Sequence, residues 1–365
     1  MAVAQPEVQF FGLGNYGTLH AVGGAPHGQA QVLPALSGAH PTVQVLRDFF
    51  PPRKNHTRIV VLFGISPSFR VWAGGAWSEL GAEVRGLYAP NIAYLLTLRC
   101  QIMSPASQTA LITGASAGLG YEFAHLFARD RYNLVLVARS GPKLAELADQ
   151  LRQQHGIQVK TIPLDLGLPQ ASQTLFEETR RAGIEVEILV NNAGYGFSGE
   201  FANIPLEESY GQIQLNVMAL TLLTRLYVQP MLQRRSGKIM NVASTAAFQP
   251  GPLMAVYYAT KAYVLSFSEA LADELRNSGV QVTCFCPGAT LTEFQKRAQT
   301  ENSRLFKQLS PMDAKTVAAD GYRAMMAGKT LAISGFRNWL VAESVRFAPR
   351  KWVTAISRYV AEPAK

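Results

Sequence analysis

"TGASAGLG", residues 113–120, is the stretch on which the reading of this chain turns. A short apolar run ending in glycine, "QTALITG" (108–114), leads into it, and "GYEFAHLFARD" (120–130), with apolar residues at helical spacing, leads out. Between a strand and a helix, glycines let the backbone approach a phosphate, and the helix N-terminus turns its N–H groups and positive dipole end toward it. Thr113, Gly114, Gly118 and Gly120 give the spacing T-G-x-x-x-G-x-G. A second run, "GLGNYG" (12–17), has the spacing G-x-G-x-x-G but is followed by "TLHAVGGAPHG". Paired glycines and a proline there rule out a helix of useful length, so this run reads as a chance match.

The same alternation continues downstream. "YNLVLVAR" (132–139) reads as a strand, and "GPKLAELADQLRQQHG" (141–156) as an amphipathic helix opened by Pro142 and closed by Gly156. "VKTIPLD" (159–165) is a strand, "PQASQTLFEETRRAG" (169–183) a helix, and "EVEILVNNAG" (185–194) a strand entering a turn. "GKIMNVAS" (237–244) and "GVQVTCFCPG" (279–288) continue the series. Strands alternating with helices predict an α/β fold, a doubly wound parallel sheet in a single domain. Residues 1–102 differ: they hold 12 of the 30 glycines, show no sustained period, and offer only short candidate strands such as "TRIVVLFG" (57–64). The expected organisation is an N-terminal extension over 1–102, poorly ordered or an over-long start ahead of Met103, a regular domain over 103–335, and a basic helical segment over 336–365.

The 365 residues are 48% hydrophobic and 16% charged, enough to bury a sizeable core. The net charge of +9 comes without a run of five like charges, which favours a phosphorylated small ligand over nucleic acid. Cys100, Cys284 and Cys286 make no disulfide framework and suit a reducing compartment, the cytoplasm. Cys284 and Cys286 read as same-face residues of a buried strand rather than half of a metal site, and no metal is expected. No run of ~18 apolar residues is free of charge, so no transmembrane helix is expected, and the N-terminus lacks a secretory pattern.

Four further motifs follow the glycine turn. "NNAG" occupies Asn191–Gly194; Ser244 precedes Tyr257 by thirteen residues; Tyr257 and Lys261 form Y-x-x-x-K; "PGATLT" (287–292) fits P-G-x-x-x-T. In this order and at these intervals the chain resembles the short-chain dehydrogenase/reductase family over roughly 103–330, and within it the 3-oxoacyl and hydroxysteroid-type carbonyl reductases. The resemblance implies a Rossmann fold and hydride transfer between a nicotinamide cofactor and a carbonyl or secondary alcohol of an apolar small molecule. It places Thr113, Gly114, Ser116, Gly118, Leu119 and Gly120 around the cofactor, with Asn192, Ala193 and Gly194 after the fourth strand. Pro287, Gly288, Thr290 and Thr292 close the same cleft, Tyr257 and Lys261 also touch the cofactor, and Asp165 meets its adenine. Asn216, in "IQLNVMAL", would support a water linking Lys261 to solvent; a satisfied core amide is the rival reading. A homodimer or homotetramer built on the helices of Asn216 and Tyr257 is also implied.

Four residues apart on a helix, Tyr257 and Lys261 share a face. A nearby ammonium favours the phenolate, which is expected to lower the phenol from its usual ~10 and fit Tyr257 for general acid–base work. Tyr258 is also within helical reach of Lys261 but lacks the spacing from Ser244. Ser244 ends a strand at the carboxyl edge of the sheet, where its hydroxyl can stabilise a developing alkoxide; Asn241 and Thr245 are neighbours without the spacing. After the second strand, "VLVARSGPK" carries no acid to bind a ribose 2′-OH but has Arg139, Ser140 and Lys143, a set that suits a 2′-phosphate. NADP(H) is therefore the expected cofactor, although many NADP-dependent relatives carry a basic residue where this chain has Ala117.

"ATLTEFQKRAQTENSRLFKQLS" (289–310) falls where the family has a mobile substrate lid; Phe294 and Phe306 read equally as pocket lining or helix core. "FRNWLVAESVRFAPRKWVTAISRYV" (336–360) is basic and aromatic, and reads first as a docked or oligomer-facing helix pair around Pro349, with peripheral membrane contact the lesser expectation. A dinucleotide-binding sensor without turnover is the alternative function. Such proteins lose the tyrosine–lysine pair, which this chain keeps.

Overall fold

The computed structural model describes residues 108–307 and 311–364, and the backbone of six short strands nearer the N-terminus. The chain divides between Ser104 and Pro105 into two units. In the first, the strands are Val8–Leu13, Leu19–Ala21, Val45–Asp48, Val60–Leu62, Arg70–Ala73 and Ala76–Glu79. They pair antiparallel, the first strand lying between the second and third. Gly12 is in the first of them; Gly14, Gly17 and most of the 1–102 extension lie outside the described residues.

The second unit is built on seven strands: β1 (Thr109–Thr113), β2 (Asn133–Ala138), β3 (Val159–Pro163), β4 (Ile188–Asn191), β5 (Gly237–Val242), β6 (Val280–Cys286) and β7 (Leu331–Ile333). All pairs are parallel, in the order β7-β6-β5-β4-β1-β2-β3. Strand order reverses between β1 and β4, so the crevice at their carboxyl ends is where a ligand binds in such a sheet. This is the expected doubly wound Rossmann sheet.

Helices cover both faces because the strands are apolar on both. On β2, Leu134 and Leu136 join one core with Phe123 and Phe127 of α1 (Gly118–Arg129) and Leu144 of α2 (Gly141–His155). Val135 and Val137 join the opposite core with Leu175 of α3 (Ala171–Arg181). A fully buried side chain of this size stabilises the fold by roughly 1.5–3 kcal/mol, so the two cores hold β2 between the helix layers. Gly156 ends α2 in the left-handed region at φ 62°, which explains glycine there.

The remaining α-helices follow in chain order. They are α4 (Leu206–Ile213), α5 (Leu220–Gln233), α6 (Ala255–Glu274), α7 (Phe294–Ala298), α8 (Arg304–Lys307), α9 (Ala314–Met326), α10 (Phe336–Ser344) and α11 (Arg350–Ala361). A π-helical turn over Gln214–Ala219 joins α4 to α5. Cys284 and Cys286 are buried on one face of β6, unbridged, with Sγ atoms 3.8 Å apart.

Candidate active site

The glycine turn is tight by construction. Gly114 and Gly118 take φ of +67° and +57°, where a side chain is strained, and a Cβ on Gly120 would overlap the Gly114 carbonyl oxygen. Among the described residues no side chain caps the N-terminus of α1: Ala117 offers no side-chain acceptor, and the first turn holds no acid. Its amides are therefore free to bind an anion from outside. Gly114, Ser116, Gly118 and Leu119 line a cavity of about 1080 Å3 at the carboxyl edge of the sheet.

Thr113 and Gly120 are not on that wall. The Thr113 hydroxyl donates to the Val190 carbonyl (3.2 Å) and accepts from the Asn192 and Ala193 amides (both 3.0 Å). Asn192 Nδ2 donates to the Thr113 carbonyl at 2.9 Å. These bonds clip the turn after β4 to the glycine turn, leaving Asn192, Ala193 and Gly194 on the cavity wall.

Opposite stand the first two turns of α6. Tyr257 and Lys261 are buried, and the Lys261 ammonium lies 5.7 Å from the Tyr257 ring centre while donating to the Val242 carbonyl at 2.8 Å. A polar chain holds α6 to the sheet: Asn191 Nδ2 donates to Asn241 Oδ1 (2.9 Å), and Asn241 Nδ2 donates to the Ser268 hydroxyl (3.0 Å). Asn241 thus faces the core, while Ser244 and Thr245 line the cavity. Tyr258 also lines it, its ring 6.1 Å from that of Tyr257.

The proton affinities differ from the sequence expectation. Burial pushes the Tyr257 phenol up, not down, with the nearby Ser244 hydroxyl pulling the other way. Burial lowers the Lys261 ammonium to about 8. For the phenol, loss of water outweighs the help that its polar neighbour gives the charged form.

Asn216 lies in the π-helical turn, buried behind the cavity wall. Its Nδ2 donates to the Tyr195 carbonyl (2.8 Å) and the Thr260 hydroxyl (3.1 Å), and its Oδ1 accepts from the Tyr195 amide (3.1 Å). It is a satisfied amide that also borders the lysine: a Cβ on Gly194 would sit 3.0 Å from Asn216 Oδ1 and 3.5 Å from Lys261 Nζ.

Arg139, Ser140, Lys143 and Asp165 line the other end of the cavity. Arg139 has no carboxylate partner among the described residues, whereas Lys143 pairs with Glu293 at 3.1 Å. Pro287, Gly288, Thr290 and Thr292 form the wall after β6. Phe294 and Phe306 both line the cavity, and Phe294 packs its ring 5.3 Å from Tyr257. Spacing does not point to Arg297. This cavity-lining guanidinium of α7 lies 4.0 Å from the Tyr195 ring centre, and burial and Arg139 lower its pKa. Only the chain's return over the cavity brings it there.

This strand order, with a glycine turn at its switch point, is that of the Rossmann class of doubly wound α/β proteins. This chain belongs to the short-chain dehydrogenase family, whose model matches residues 108–303, more than half of its length. It is 38% identical over 184 residues to the very-long-chain 3-oxoacyl-CoA reductase of Phaeosphaeria nodorum, a match spanning 49% of this chain and 54% of that protein. The chain thus covers about half of that relative's length. Among solved structures, it is similar to a short-chain dehydrogenase from Sphingobium yanoikuyae in complex with NADPH. The TM-score is 0.60 at 33% identity, over 66% of this chain and 94% of that one. A Burkholderia phymatum short-chain dehydrogenase/reductase in complex with NAD matches with TM-score 0.61 at 25% identity, over 71% and 98% of the two chains.

Proposed function

We propose that the protein is an NADP(H)-dependent reductase of a bulky, apolar carbonyl compound, with a 3-oxoacyl thioester as the substrate class. The single observation that carries this is the meeting of Tyr257, Lys261 and Ser244 with the uncapped glycine turn on one cavity. The residues fit a dinucleotide: Gly114–Gly120 would hold its phosphates, Arg139 and Ser140 a 2′-phosphate, Asp165 the adenine, and Asn192–Gly194 the central ribose region. When bound, the nicotinamide supplies or accepts the hydride. Ser244 orients the carbonyl oxygen and stabilises the charge developing there. Tyr257 donates its phenolic proton to that oxygen, and the Lys261 ammonium stabilises the phenolate left behind. Asn216 positions Tyr195 and the helix carrying Thr260, which borders Lys261. The apolar lining from Met254, Phe294, Phe306 and Val341 suits a hydrocarbon chain. Tyr210, Ile213, Met218 and Leu222 expose an apolar face along α4 and α5 that suits a homodimer. A reducing cytoplasmic setting suits its thiols; no helix among the described residues is long and apolar enough to cross a membrane.

The test is a fluorescence titration of the full chain with NADPH and NADH, followed by turnover on 3-oxoacyl thioesters of increasing length. Tighter NADPH binding and NADPH oxidation that improves with chain length are expected. Tight binding without turnover on any carbonyl would leave a dinucleotide sensor, and tighter NADH binding would remove the 2′-phosphate reading.

Two variants sharpen it. Arg139→Ala removes a charge-assisted contact of roughly 1.5–3 kcal/mol, so NADPH affinity should fall about 10–100-fold while NADH affinity stays within about twofold. The pH profile follows from Lys261. Tyr257 keeps its proton through neutral pH because burial raises it, but the Lys261 charge is lost as pH rises through about 8. Carbonyl reduction should hold steady below that pH and decline above it. A kcat profile checks this, and Lys261→Met should abolish the declining limb.

A further inference from the structure

The C-terminal helix pair docks by one face only. Ala342 of α10 and Val353 and Ser357 of α11 are buried. Next to that face, Trp352, Ile356 and Tyr359 recur at i, i+4 and i+7 and form an exposed apolar stripe along α11. On α10, Phe336, Trp339 and Leu340 are exposed, with the Phe336 and Trp339 rings stacked 5.7 Å apart. Phe347, between the helices, is 87% exposed. Single exposed apolar residues need no explanation, but a patch of this kind marks an interaction site.

The charge around the patch says what covers it. Arg346 pairs with Glu343 and Arg358 with Glu362, while Arg337, Arg350 and Lys351 have no carboxylate partner among the described residues. Lys351 and Arg358, seven apart, share the side of α11 that flanks the aromatic stripe away from the protein. Basic residues bordering an apolar face with tryptophan and tyrosine form the pattern of a helix lying in a membrane interface. A second copy of the chain meeting this face two-fold would bring the same cations against one another. The patch is also continuous with the cavity: Val341 and Ile356 are cavity-lining and exposed at once.

We propose that α10 and α11 dock on the surface of an anionic bilayer, with Phe347 and Trp352 at headgroup level and the apolar rim of the cavity turned to the lipid. An apolar substrate then enters from the bilayer rather than from water. That entry route rests on the reductase reading; the docking does not, and it is measured without turnover.

The experiment is co-sedimentation of the full chain with vesicles of phosphatidylcholine alone and of phosphatidylcholine mixed with phosphatidylglycerol. Binding should be at least about tenfold stronger to the mixed vesicles and should weaken steadily with added salt. Phe347→Ser combined with Trp352→Ser, and separately Arg350→Glu combined with Lys351→Glu, should each lower vesicle binding about tenfold or more while NADPH affinity is unchanged. The lipid and salt dependence of the wild type needs no variant, and retained NADPH binding shows that each variant is folded. Absence of vesicle binding, equal binding to both compositions, or full binding by both variants would overturn the proposal. So would a dimer, seen by analytical ultracentrifugation, that Trp352→Ser dissociates.

Discussion

Replacing Tyr257 by phenylalanine is expected to lower kcat for carbonyl reduction by about 10²–10⁴-fold, the range for removal of a positioned general acid. Only the hydroxyl goes. The ring that packs against Phe294 and Tyr258 stays, so NADPH affinity should remain within a few-fold and the thermal midpoint should barely move. Tyr258 is half-buried on the same cavity and is the group most able to substitute. Tyr258→Phe should keep most of the activity, because it is Tyr257 whose proton affinity the nearby Ser244 hydroxyl lowers. Steady-state kinetics of the two variants side by side check the assignment. Near-equal losses would mean that the proton donor is shared or misassigned.

Gly120→Val should abolish measurable cofactor binding. Its Cβ would overlap the Gly114 carbonyl oxygen, which is backbone, and press on Asn192 Nδ2, which its bond to the Thr113 carbonyl holds in place. The backbone between Gly114 and Gly118 must shift, and with it the amides at the start of α1. Overpacking of this kind costs typically 1–3 kcal/mol, so the protein should still fold with a lower thermal midpoint. The expected result is an NADPH affinity weakened by more than about 100-fold, read by fluorescence titration. Near-normal binding would mean that the turn is not where the phosphates sit.

What the sequence made legible is what is local in the chain. The strand–turn–helix context of Gly114–Gly120, the four-residue step from Tyr257 to Lys261 and the missing acid after β2 are patterns of spacing, and the structure brings these groups to one cavity. What it hid depends on distant partners. Thr113 has the right position for a cofactor contact, but its hydroxyl is committed to backbone some 77–80 residues away. Lys143 reads as a phosphate ligand, yet a carboxylate 150 residues on holds it. Arg297 enters the cavity only because its helix lies over Tyr195. The direction of the Tyr257 shift also eluded the sequence, since burial is a property of the whole packed site. The six paired strands before residue 80 have no sustained period to announce them beyond the run that contains Val60–Leu62.

The π-helical turn at Gln214–Ala219 bears on how this protein tolerates improvement. Such a turn accommodates one residue more than an α-helix would, and one residue is about 100° of rotation. Deleting that residue would restore ordinary helical hydrogen bonding, the kind of change that a search for heat resistance rewards. It would also turn Asn216 away from Tyr195 and Thr260, loosening the wall beside Lys261. Selection for robustness and selection for turnover therefore pull this six-residue segment in opposite directions.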